Sequence, residues 1–307
     1  MKRAIVALLI SSACAAPIAG VPDASSTAAD RDAGTNNDAG TPDAGSIQVD
    51  AGTDGGRPAQ CTITPDEVTC PMRTLAVPAA AGIPRDVNFQ LPTGTPPPNG
   101  WPVFVLFQGS FAPSQLSFSA RSDATFGLYY QALLVARLLD AGYAVLAPEA
   151  HLGGTTYWDT NTLPWAVSWD GAPDDVFMKA IFAKITDGSF GALDPHRWFA
   201  GGISSGGYMT SRMAVSYSGR FTALVVHSAS YATCGPICTI PALPSNHPPT
   251  LFLHGEQDPL APPSAMRDYA AALTDAGIEN RVVTDAQLGH QWLPVAPSEI
   301  LSWVAAH

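Results

Sequence analysis

An α/β fold, with a mostly parallel central sheet and helices on both faces, is predicted by three features of the sequence. Strand-like and helix-like patterns alternate from Cys61 to His307. Several of the strand-like runs, such as Val103-Phe104-Val105-Leu106-Phe107, are apolar without interruption, as strands covered on both faces are. The span is also of a size that one α/β domain commonly fills.

The chain ahead of that span does not share its pattern. Residues 1–16 run from Lys2 and Arg3 through the apolar stretch Ala4–Ile10 to the small residues Ser11-Ser12-Ala13-Cys14-Ala15-Ala16. This order predicts a secretory signal, too short to cross a membrane. Cleavage after Ala13 would leave Cys14 first and open to lipid attachment, although Ser11 stands where such signals usually carry Leu. Lipid anchoring and full release are both compatible with the sequence. Residues 17–60 are built from Asp, Ala, Gly, Thr, Ser and Pro, with Asp-Ala-Gly recurring at Asp32, Asp38, Asp43 and Asp50. Such a stretch buries too little apolar surface to offset its chain entropy and is predicted to be a disordered acidic linker. Its Asp spacing matches neither an EF-hand loop nor a glycine-rich calcium repeat.

Within the span, strands are predicted near Arg73–Val77, Arg85–Leu91, Pro102–Phe107, Ala144–Ala147, Arg197–Gly201, Ala223–His227, Thr250–Leu253 and Arg281–Thr284. Helices are predicted near Leu128–Ala141, Asp174–Thr186, Gly207–Ser216, Pro263–Ala276 and Pro297–Ala305. Fifteen basic against 26 acidic residues give a formal charge of −11, which opposes binding to nucleic acid or to an anionic membrane surface. Of the five cysteines, four lie beyond the signal. In an exported chain they predict two disulfides, and short separation favours Cys61–Cys70 and Cys234–Cys238 among the three pairings.

The chemistry concentrates at Gly202-Ile203-Ser204-Ser205-Gly206, a G-x-S-x-G pattern between a strand-like and a helical run. Glycines two residues either side of Ser204 permit a sharp turn that exposes its hydroxyl above the sheet. Centring the pattern on Ser205 would put Ile203 where glycine is needed, so Ser204 is the predicted nucleophile. A serine hydroxyl needs a histidine to take its proton and an acid to hold that histidine's tautomer. Asp258 follows the apolar strand Thr250–Leu253, and His290 follows the last strand, which is the chain order this arrangement requires. Glu256 and Asp285 are rival acids. The backbone N–H of Ser205 and one from the Gln108-Gly109-Ser110-Phe111 loop, at Ser110 or Phe111, are expected to receive the oxyanion.

An aromatic-rich insertion between His151 and Gly171 offers Tyr157, Trp158 and Trp165 as contacts for an apolar substrate, with packing onto the body as the alternative. His254 is read as a strand-end residue and His227 as support near the site. His151, His196, His247 and His307 show no zinc-type spacing, and phosphate-loop and dinucleotide patterns are absent, so neither metal nor cofactor is expected.

Leu106–Phe111, Gly202–Gly207, Pro248–Gly255 followed by Asp258, and Gly289-His290 together resemble the α/β-hydrolase superfamily, and within it the extracellular depolymerases of medium-chain-length polyhydroxyalkanoates. The resemblance spans roughly residues 70–307. It implies a secreted serine esterase acting on water-insoluble polyesters of 3-hydroxy acids without a separate substrate-binding domain. An esterase for feruloyl or acetyl groups shares the fold and triad, and a catalytically silent surface protein is the reading from another class.

Overall fold

The computed structural model describes residues 60–234, 240 and 242–307. All belong to the compact unit Thr53–His307. The expected signal segment, Cys14 and nearly all of the acidic linker lie outside the described residues.

In chain order the strands are β1 (Thr62–Ile63), β2 (Glu67–Thr69), β3 (Arg73–Val77), β4 (Arg85–Gln90), β5 (Trp101–Phe107), β6 (Ser119–Arg121), β7 (Ala144–Pro148), β8 (Leu193–Ile203), β9 (Ala223–His227), β10 (Thr250–Gly255) and β11 (Asn280–Asp285). The helices are α1 (Leu128–Asp140), the single turn α2 (His151–Gly154), α3 (Pro173–Thr186), α4 (Ser205–Ser216), α5 (Pro263–Asp275) and α6 (Ala296–Ala306). Eight strands form one sheet in the order β11-β10-β9-β8-β5-β7-β4-β3. From β7 to β11 all neighbours are parallel, while β3 and β4 pair antiparallel at one edge.

The seven residues of β5 are all buried because both faces of the sheet are covered. Phe104 and Leu106 pack with α1 and α6, while Val103, Val105 and Phe107 pack with α3 and α4. Alternation of side chains along the strand thus divides one apolar run between two cores. The central strand also fixes where a site can form. β5 pairs with β7 on one side and β8 on the other, so the chain reverses its direction of travel across the sheet there, the point where sheets of this kind place a site at the carboxyl ends of their strands.

A separate three-stranded sheet, β1-β2-β6, lies outside the sequence prediction. Its strands are two or three residues long, too short for a periodic signal. The Cys61–Cys70 disulfide staples it, and Val68 and Ala120 anchor it in the α1–α6 core. Cys234 is also disulfide-bonded. Its expected partner, Cys238, lies outside the described residues.

Candidate active site

The turn from β8 into α4 is closed by main-chain contact. A Cβ on Gly206 would lie 2.2 Å from the Phe107 carbonyl oxygen, and one on Gly202 would lie 2.5 Å from the same atom. Only glycine lets the turn press so closely on the end of β5. Ser204 sits between them at φ +56° and ψ −125°, a conformation that costs a non-glycine residue on the order of 1–3 kcal/mol. Its N–H is held by the His227 carbonyl at 3.0 Å.

Asp258 and His290 occupy the loops after β10 and β11. His290 Nδ1 and Asp258 Oδ2 are 2.7 Å apart, with the carboxylate side chain fully buried. The other carboxylate oxygen accepts the N–H groups of Leu260 and Ala261, both at 2.9 Å. Burial pushes the Asp258 carboxyl upward, but the bonds from His254, His290 and Ala261 outweigh it and hold the group well below the usual carboxylate range. Asp258 is therefore ionised and bonded to the histidine ring. The rival acids are engaged elsewhere: Glu256 pairs with Arg267 at 3.0 Å, and Asp285 accepts the Gln287 N–H at 2.9 Å. Among the described residues no hydrogen bond joins Ser204 to His290, a contact that commonly tightens only with substrate.

His227 ties these parts together. While its carbonyl holds Ser204, its buried Nε2 accepts the Leu293 N–H at 3.1 Å and its ring lies 4.7 Å from that of Trp292. Burial, and then the neighbouring imidazoles of His254 and His290, drive its pKa well down, so the ring is neutral and Nε2 is free to accept. The sequence placed His227 near the site, but not this bond to the His290 loop.

Gly109 borders Ser204: a Cβ there would be 3.2 Å from Ile203 Cγ2 and 3.8 Å from Ser204 Cβ. Ser205 opens α4, where a helix leaves its first N–H groups without intrahelical acceptors. Of the two expected loop donors, Phe111 is corrected. Its N–H is given to the Thr156 carbonyl at 3.3 Å, and Ser110 remains.

The insertion also needs correction. Trp158 is fully buried against Phe107, with ring centroids 5.3 Å apart, and its indole N–H donates to the Gln108 carbonyl at 3.0 Å. Trp165 packs on the α3–α4 core, and only Tyr157 of the three is exposed. The aromatics of this loop were legible, but the inward direction of Trp158 was not, since the insertion has no strand or helix period to show which side faces the body. His151, Asp159 and Asp174 converge beneath it, with the His151 Nε2 3.0 Å from Asp159 and Arg85 2.5 Å from Asp174. Their ligand atoms are spent on one another, on Arg85 and on backbone N–H groups.

No family model matches the chain. A poly(3-hydroxyoctanoate) depolymerase of Pseudomonas fluorescens is 44% identical over 247 residues, covering 80% of this chain and 88% of its own. Among solved structures, an esterase of Pyrobaculum calidifontis superimposes with a TM-score of 0.54 at 14% identity, over 78% of this chain and 85% of its own. A Bacillus cereus carboxylesterase gives 0.51 at 15% identity, over 72% and 93%. These two likenesses speak to the fold. The chain is a carboxylic ester hydrolase of the α/β-hydrolase fold and belongs to the family of the poly(3-hydroxyoctanoate) depolymerases.

Proposed function

We propose that residues 61–307 form the catalytic domain of an exported serine esterase that cleaves polyhydroxyalkanoates bearing medium-length side chains. The observation that carries this reading is the buried Asp258–His290 pair beside a strained Ser204, in a chain 44% identical to a poly(3-hydroxyoctanoate) depolymerase. In the first half-reaction Ser204 Oγ attacks the ester carbonyl carbon while His290 Nε2 takes its proton. The carbonyl oxygen becomes an oxyanion held by the N–H groups of Ser205 and Ser110. Collapse expels the alkoxide, which receives the proton from His290. Water then repeats the sequence on the acyl-enzyme and releases the acid. Asp258 holds the Nδ1–H tautomer and stabilises the imidazolium. No step needs a metal or cofactor.

With Trp158 fully buried and Trp165 half-buried against the α3–α4 core, adsorption to an insoluble polymer falls mainly to other residues. Phe111, Phe126 and Leu152 are exposed apolar side chains held at φ of +64°, +59° and +53°. Phe111 follows the oxyanion loop, Phe126 meets the His290 ring at 6.2 Å, and Leu152 lies in the turn that contacts Gln108. Backbone strain that holds apolar groups in water suits a surface that receives alkyl chains. Lys2, Arg3 and the apolar run after them support export, as does the Cys61–Cys70 disulfide, with either a lipid anchor at Cys14 or release.

The test is Ser204→Ala, measured on polyester films and on aryl esters of graded chain length. Activity should fall by about 10³-fold or more with the fold unchanged, and the wild type should prefer octanoyl to acetyl esters. Retained activity in Ser204→Ala would remove the nucleophile assignment. Preference for feruloyl or acetyl esters would remove the polyester.

A further inference from the structure

The loop after β5 and the start of α4, which carry the two oxyanion donors, are both bonded to one stretch of chain, residues 150–161. Gln108 is fully buried, and its side chain donates to the Gly154 carbonyl at 2.7 Å while accepting the Ala150 N–H at 3.2 Å. Its own carbonyl accepts the indole N–H of Trp158, and the Thr156 carbonyl takes the Phe111 N–H. This fixes the loop that bears Ser110 from both ends. The same Trp158 donates its backbone N–H to Ser205 Oγ at 3.0 Å, and that hydroxyl donates onward to Asn161 Oδ1 at 2.9 Å.

The stretch is in turn fastened to α3. Asp159 N–H donates to Asp174 Oδ2 at 2.6 Å, and Asp174 N–H returns a bond to Asp159 Oδ2 at 2.8 Å. Arg85 joins the Glu149 carbonyl to Asp174 from below. The bonds from this stretch to Gln108 and Ser205 run from 2.7 to 3.2 Å, and Gln108, Trp158 and Ser205 are all buried. An oxyanion hole works only when its donors are already aimed at the position the oxygen will take, so whatever fixes their separation sets the rate.

We propose that residues 150–161 are a positioning clamp for the oxyanion hole, in which Trp158, Asn161 and the Gln108 side chain set the distance between the Ser110 and Ser205 N–H groups. The proposal rests on the serine-esterase reading above. It gives the buried side of the insertion a role in stabilising the transition state, distinct from that of Leu152 on its exposed side.

Trp158→Phe removes the indole N–H with the five-membered ring and keeps an aromatic side chain in the site. Asn161→Ala removes the acceptor of the Ser205 hydroxyl, and Asn161→Asp restores it. Each is assayed for kcat and KM on a soluble aryl octanoate, and for inhibition by an alkyl trifluoromethyl ketone, to which Ser204 adds to form an oxyanion. Trp158→Phe and Asn161→Ala should lower kcat on the order of 10- to 100-fold with KM within about twofold. The inhibition constant should rise by the same factor, and Asn161→Asp should recover most of both. A fall in kcat with inhibitor affinity intact, a rise in KM alone, or variants within about twofold of wild type would each overturn the clamp. Failure of the wild-type enzyme to add to the ketone, or activity in Ser204→Ala, would instead overturn the nucleophile assignment.

Discussion

On one flank of Ser204 the proposed acid and base, Asp258 and His290, need only two short loops after neighbouring strands; on the other, the proposed oxyanion donors depend on an insertion reached across 42 to 50 residues of sequence. β10 and β11 run parallel in register from Thr250↔Asn280 to Gly255↔Asp285. Their loops continue that pairing, with Glu256 N–H on the Asp285 carbonyl and Gln257 N–H on the Leu288 carbonyl. The sheet itself therefore delivers Asp258 to His290. Nothing comparable delivers Trp158 to Gln108 and Ser205, so that flank is assembled by burial and individual hydrogen bonds. Catalytic placement can thus be inherited from strand pairing or built bond by bond, and the two should fail differently when mutated.

The sheet-delivered flank should fail in chemistry. Asp258→Asn and His290→Ala are each expected to lower kcat on the order of 10³- to 10⁴-fold with little change in thermal midpoint, whereas Glu256→Gln and Asp285→Asn stay near wild type. Steady-state rates on a soluble ester decide this, and inactivity of Asp285→Asn with active Asp258→Asn would reverse the assignment. The insertion flank should fail in structure when truncated. Trp158→Ala empties a buried site and should destabilise by about 3–5 kcal/mol, lowering the melting temperature by roughly 10 °C. Tyr157→Ala, one residue earlier and exposed, should leave it within about 1 °C. Scanning calorimetry of the pair separates inward from outward residues.

A smaller effect sharpens the acid–base flank. The His227 pKa is lowered by folding, so below its ordinary value near 6.5 the unfolded chain binds a proton that the folded one does not. Stability from this residue is complete above that pH and declines below it, by at most about 1.4 kcal/mol per pH unit. His247 is lowered too and contributes with the same sign, whereas His151, raised chiefly by its bond to Asp159, contributes with the opposite one. Chemical denaturation of wild type and His227→Gln between pH 7 and 5 should show a shallower decline in the variant. Parallel curves would mean that His227 does not titrate on unfolding. Smallest of all, Phe126→Ser should weaken film hydrolysis about fivefold, equivalent to about 1 kcal/mol of lost apolar contact, with little change on a soluble ester. Equal losses on both substrates would tie Phe126 to the His290 ring rather than to the polymer.

The same contrast explains what the sequence made legible. β5, β9 and the second half of β8 are apolar runs followed directly by Gln108, Ser228 and Ser204, so these strand ends and the residues beyond them could be read directly. The G-x-S-x-G turn carries its own geometry, and the acid and histidine follow from chain order. Phe111 could not be judged, because the acceptor of its N–H lies 45 residues away on Thr156. Trp158 looked like a surface aromatic because loop composition says nothing about which way a ring points. The three-stranded sheet was missed because two-residue strands have no period, although the Cys61–Cys70 pairing that staples it was readable from spacing alone.

The glycines at the head of the sheet also bear on how this enzyme can be altered. At Gly206 the nearest neighbours are carbonyls of Phe107 and Gln108, and at Gly255 they are carbonyls of Gly289 and Leu288, so both flanks rest on main-chain atoms touching main-chain atoms. Such contacts act as mechanical stops: their spacing is a sum of atomic radii, with no rotamer to relax and no methylene to trim. Side chains in the two cores can therefore be exchanged for thermal tolerance, and rim residues for substrate range, without moving the point where bond cleavage occurs. A library directed at the enzyme should leave these stops untouched and vary what surrounds them.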